Sequence, residues 1–163
     1  MDLEIDIETP WPASPDWEDL ATRAAEAAAG IAPELAHPRL TASLLFTSDE
    51  DIRVLNAEWR GKDKPTNVLS FPMLERSDLV DLAPHGPPEM LGDIALAYET
   101  CAREAGDKGL PVEQHAAHLI VHGLLHLAGY DHETSDDAAE AMEALETKAL
   151  AVMGLADPYG AER

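Results

Sequence analysis

From Leu3 to Glu8 apolar and acidic residues alternate, the pattern of a strand with one buried face. Ser14 followed by Pro15 reads as an N-cap with proline in the first helical position. The alanine-rich stretch from Asp16 to Ala29 then reads as a helix that Gly30 stops. Leu40 to Thr47 is apolar and β-branched and predicts a second strand. Ser48 and Asp51 make a capping pair for a helix that carries Ile52, Leu55 and Trp59 on one face and ends at Gly61. Thr66 to Phe71 and Asp93 to Tyr98 are two more strand candidates, separated by a Pro- and Gly-containing loop from Leu74 to Leu91.

Tyr98 to Gly109 and Pro111 to Ala128 read as helices. The second is apolar along Ala116, Leu119, Ile120, Val121, Leu124, Leu125 and Leu127, which predicts a central position. Thr134 with Asp137 resembles a further capping pair, after which Ala138, Met142, Leu145, Ala149 and Val152 recur at helical spacing before Gly154. No internal repeat is visible. Four strands and about five helices in this order predict an α+β fold with one mixed, mostly four-stranded sheet. The 163 residues fit one domain, 1–163, with 1–15 and 155–163 expected to fray. The pattern leaves strand order open.

Five of the seven histidines fall between His115 and His132. His122 and His126 are four apart on the predicted central helix, so both side chains leave one face, one turn apart, and can reach a common ion. Gly129 can take the left-handed conformation that ends a helix and return His132 towards the same point. A single histidine on an apolar helix is usually satisfied by hydrogen bonds, but this spacing favours a metal site on the central helix and the turn after it. Three protein ligands leave a fourth position for water, the arrangement of a catalytic zinc site. His118 lies on the same stripe but eight residues from His126, about 12 Å along the axis, too far to share an ion with both. It is expected behind a ligand or in the core, and His115, off the stripe, is expected to be exposed.

The spacing His122-x3-His126-x2-Gly129-x2-His132 is also that of the metzincin proteases. Those enzymes place their general-base Glu directly after the first histidine, and here Gly123 stands there, which cannot move a proton. The net charge of −21 argues against a polyanionic partner, although Arg60, Lys62 and Lys64 gather three of the 11 basic residues in five positions. Cys101 is the lone cysteine and forms no internal disulfide, no basic segment precedes an apolar signal-like run, and no apolar run is long enough for a membrane helix. A cytoplasmic protein without a membrane partner is the expectation.

The run His122-Gly123-Leu124-Leu125-His126-Leu127-Ala128-Gly129-Tyr130-Asp131-His132 closely resembles the signature of the YbeY family of metal-dependent endoribonucleases and rRNA maturation factors. The resemblance extends to Asn56 and Arg60, to Asp63-Lys64-Pro65-Thr66-Asn67-Val68-Leu69-Ser70-Phe71-Pro72 and to Leu91-Gly92-Asp93-Ile94, covering about positions 50 to 146. Before Asp49 only the general layout matches. The resemblance implies a mixed sheet with surrounding helices, one zinc ion on His122, His126 and His132, and cleavage of single-stranded ribosomal RNA. The cleavage would serve 3′-end maturation of the small-subunit RNA and ribosome quality control, with ribosomal RNA and ribosome or assembly proteins as partners.

The resemblance also implies that Arg60 lines the active-site cleft, whereas by position alone it complements the dipole at the end of its helix. Arg60 with a phosphate would use its planar fork, and Lys62 and Lys64 would add charge. Asn67 stands where the family often has Asp, which keeps a turn or positioning role and removes a proton acceptor. Asp131 can orient a ligand imidazole or belong to a polar turn. Ser70 and Asp93 are weaker candidates for lining the site. A zinc peptidase and a ribosome-assembly protein with a structural metal are the alternatives, the first weakened by Gly123, the second suited to the acidic composition.

Overall fold

The computed structural model describes residues 1–160. Its sheet comprises β1 (Asp2–Ile7), β2 (Leu40–Thr47), β3 (Val68–Pro72) and β4 (Glu89–Ala97) in the order β1-β2-β4-β3. β1 and β4 pair in parallel with β2, and β3 closes the edge antiparallel to β4. The helices are α1 (Trp17–Ile31), α2 (Asp49–Arg60), the short α3 (Arg76–Val80), α4 (Tyr98–Lys108), α5 (Val112–Leu127) and α6 (Asp136–Val152), with a 3-10 turn at Pro33–Ala36. The α+β class and the mixed four-stranded sheet agree with the sequence pattern.

Alternation along the strands divides the molecule. Leu44, Phe46, Ile94 and Leu96 point into the main core with α1, α5 and α6, whereas Leu69, Ala95 and Ala97 face the other way and meet Ile52 of α2. The apolar α5 is packed by α1, α4, α6 and β3, as its pattern requires. It lies close to the sheet because Gly123 has no side chain: a Cβ there would stand 3.0 Å from Ile94 Cδ1.

Several boundaries differ from expectation. Asp16, not Ser14, caps α1 by accepting from the Asp19 N–H, and the helix runs through Gly30 to Ile31 because its alanine face is buried. The expected loop from Leu74 to Leu91 contains α3, and β4 begins at Glu89, where pairing with β2 recruits Glu89, Met90, Leu91 and Gly92 ahead of the expected start at Asp93. Ser135 rather than Thr134 caps α6, accepting from the Ala138 N–H. Residues 1–15, expected to fray, are placed against the fold: β1 is paired along its length, and Trp11, 4% exposed, donates its indole N–H to the Thr47 carbonyl while packing edge-on against Trp17, Phe46 and Tyr98. Of the expected C-terminal fray, 161–163 lie outside the described residues.

Gly92 marks a β-bulge between β2 and β4, with φ of 155° and the Phe71 carbonyl 2.5 Å from where a Cβ would sit. Gly92→Ala is expected to destabilise the protein by about 2–3 kcal/mol, from backbone strain together with the clash. Urea unfolding measures it, and a change below about 0.5 kcal/mol would show that the bulge tolerates a side chain.

Candidate active site

α2 ends at Gly61 in the left-handed conformation, φ 68°, which releases Arg60 towards β3 and starts the basic loop. Asn56 fixes that loop by donating its side-chain amide to the Lys64 carbonyl at 2.8 Å. Arg60 donates from Nη2 to the Ser70 carbonyl at 3.1 Å and lies over the Phe71 ring at 5.8 Å. α5 approaches from the other side with His122 and His126, and Gly129, φ 101°, turns the chain to present His132. Together these segments enclose a cavity of about 320 Å³ lined by Arg60, Lys62, Lys64, Asn67, Ser70 and the three histidines.

Two of the three imidazoles are held from behind. Glu146 of α6, 1% exposed, accepts through Oε1 from His118 Nε2 at 2.7 Å and from His122 Nδ1 at 3.2 Å. Burial opposes the charge on Glu146, but the hydrogen bonds and charges of the two histidines outweigh it and hold the carboxyl down to about 2. An ionised carboxylate only accepts, so His122 carries its proton on Nδ1 and, when neutral, keeps the Nε2 lone pair. Ser70 Oγ lies 2.6 Å from His126 Nδ1 and holds that ring in place, as a hydroxyl that can accept from or donate to the nitrogen. Burial first, then the neighbouring His122 and Arg60, push the His126 imidazole below its ordinary value and favour the neutral ring.

His132, on the exposed turn, places its ring 5.0 Å from that of His122, centroid to centroid. Three imidazoles, two with the remote nitrogen already engaged, are the right kind of donors for zinc. Among the described residues, however, no three His, Cys, Asp or Glu side chains are closed to the point of holding an ion. The residues fit the metal in donor type alone.

The other expected positions divide. Asn67 accepts from the Val68 N–H at 2.7 Å and donates to Glu104 at 2.9 Å, a positioning arrangement. Asp131 accepts from the Glu133 N–H and shapes the turn that carries His132. Asp93 does not reach the cavity: it accepts from Ser43 Oγ on the opposite face of the sheet, because its neighbour Ile94 faces α5. His118 is buried behind His122, as its place on the stripe suggested.

His115 is only 3% exposed, against expectation. Steps of three and four place it on the same helix face as His118 and His122, where Glu104 of α4 meets its Nε2 at 2.8 Å. Glu104 and Glu146 were not anticipated. Glu146 was detectable as a lone acid on the apolar face formed by Met142, Ala149 and Leu150, whereas Glu104 carries no local signal.

The family model described as Endoribonuclease YbeY matches residues 8–154. Proteins of that name from Erythrobacter litoralis and Novosphingobium aromaticivorans are 66% and 59% identical; the first alignment covers 98% of each chain, the second 98% of this chain and 96% of the relative. The solution structure of TM1509 from Thermotoga maritima is similar in fold, with a TM-score of 0.57 at 23% identity over 93% of this chain and 91% of that one.

Replacing Glu146 by Leu removes the acceptor that His118, His122 and the Tyr159 hydroxyl share, and leaves His118 Nε2 the Tyr159 hydroxyl at 3.1 Å. Glu146→Leu is expected to cost about 3 kcal/mol in the unfolding free energy of the metal-free protein at pH 7. An unchanged denaturation midpoint would mean that packing alone holds the two rings.

Proposed function

The chain belongs to the YbeY endoribonuclease family, and from that premise we propose that it cleaves single-stranded ribosomal RNA with the aid of one zinc ion. Its place of action is the small-subunit RNA 3′ end and the quality control of ribosomes, in the cytoplasm, with the ribosome or its assembly proteins as partners. The whole chain, 1–163, acts as one domain. The observation that carries this reading is the lining of one cavity by three imidazoles and by Arg60, Lys62 and Lys64. A net charge of −21 is no obstacle to a phosphodiester substrate when the local cations face the reacting bond. No helix among the described residues is long and apolar enough to cross a membrane.

His122, His126 and His132 would hold the zinc ion. When bound it supplies Lewis acidity and a water whose pKa falls to about 7. The chain's own residues do the rest. Ser70 and Glu146 orient two ligand rings through Nδ1. Arg60, steadied by the Ser70 carbonyl, offers its remaining N–H donors to the scissile phosphate and stabilises charge that develops on its oxygens. Lys62 and Lys64 attract the flanking phosphates, and Asn67 fixes the start of β3.

The peptidase alternative loses further ground. The Cα of Gly123 faces the sheet, where a Cβ would stand 3.0 Å from Ile94 Cδ1, so a base at this position would start against β4 and require Ile94 to give way. An assembly protein with a structural metal is favoured only by the acidic composition.

Purified protein is expected to contain one zinc ion per chain and His126→Ala to lose it; full metal retention by elemental analysis would remove His126 from the site. Arg60→Glu is expected to lower kcat/KM on single-stranded RNA by a factor of about 100 or more at unchanged zinc content. Undiminished cleavage by a nuclease-free preparation would exclude Arg60 from phosphate binding.

A further inference from the structure

Beside the cleft lies a second cavity, also about 320 Å³, which shares Asn67, Val68 and His122 with it and is otherwise built from different residues. Glu104, His115, His118 and Leu119 contribute to its walls. The carboxylate of Glu104 is held in place. Its Oε1 accepts from Asn67 Nδ2 at 2.9 Å and from His115 Nε2 at 2.8 Å, whereas Oε2 has no hydrogen bond among the described residues. Burial raises its pKa, but the bonds from His115 and Asn67 outweigh this and keep the group below its ordinary value.

A fixed carboxylate accepts and does not donate, and it repels phosphate, so the part of an occupant that meets Glu104 must present N–H groups and carry no negative charge, while Lys108 on the same wall can face a phosphate. The volume is at the low end for small-molecule sites, which run from about 300 to 1,000 Å³. Histidine rings and the Leu119 side chain supply flat and apolar surface of the kind on which unpaired bases settle.

We propose that this cavity receives an unpaired nucleobase next to the scissile phosphate and selects bases that carry an amino group, guanine foremost, through Glu104. Guanine presents N1–H and its N2 amino group side by side. Cytosine and adenine present one amino group each, and a carboxylate accepts from such groups. Uracil has a single N–H between two carbonyl oxygens that would face the same negative charge. The site therefore ranks guanine first and uracil last. This subsite rests on the adjacent cleft being where RNA is cut, and it makes Glu104 a specificity-determining residue separate from the metal ligands.

The test uses zinc-loaded protein and short oligouridylates in which one uridine is replaced by guanosine, cytidine or adenosine. Affinity is measured by fluorescence anisotropy and cleavage is mapped at the replaced position. Guanosine is expected to tighten binding about tenfold over the all-uridine chain, and Glu104→Gln is expected to reduce that ratio to below about twofold. Uridine equal to or above the amino-bearing bases, or an unchanged ratio in Glu104→Gln, overturns the proposal. Base-selective binding without cleavage would sustain the subsite and sink the nuclease reading, cleavage indifferent to base would do the reverse, and no binding of any chain would sink both.

Discussion

A helix buried along most of its length carries four histidines at a cost that falls with each ring nitrogen that finds a partner in place of water. On α5 this constraint recruits the surrounding structure. Glu146 of α6 serves His118 and His122, Ser70 of β3 serves His126, and Glu104 of α4 serves His115. The preceding helix α4 and two elements farther away in the chain, β3 and α6, are thus tied to one helix through imidazoles. The carboxylate of Glu146 also sets which nitrogen of His122 stays available, so core satisfaction and the orientation of that ring are one arrangement. Among the described residues His115 and His118 each retain a buried Nδ1 without a partner, the residual cost of placing so many rings in the core.

The electrostatics follow a similar division. The chain is strongly acidic, yet Arg60, Lys62 and Lys64 converge on the cavity that the histidines line. Convergence comes from the left-handed Gly61 and from Asn56 holding the Lys64 carbonyl, not from the basic residues themselves, which would repel one another. An acidic surface elsewhere discourages indiscriminate binding of nucleic acid and leaves the cleft as the place where a phosphate is welcome.

Local pattern carried most of the fold. Alternation and helical periodicity located all four strands and the five longer helices, and the mixed sheet followed from their order. What escaped it depended on tertiary context: α1 continues through Gly30 because its alanine face is buried, and β4 starts early because β2 offers a partner at Glu89. The three clustered histidines and Arg60 were legible from spacing and motif, and they share one cavity. Their supports were not legible to the same degree. Glu104 is an ordinary helix residue until α5 brings His115 against it, and Asp93 stands in the matching motif yet faces the opposite side of the sheet.

The open metal centre proposed on His122, His126 and His132 is what the function rests on. X-ray absorption at the zinc edge of loaded protein addresses it directly. Three imidazole nitrogens at about 2.0–2.1 Å and one further oxygen at a similar distance are expected. A closed shell of four protein ligands, or zinc surrounded by carboxylate oxygens without imidazole scattering, would contradict it.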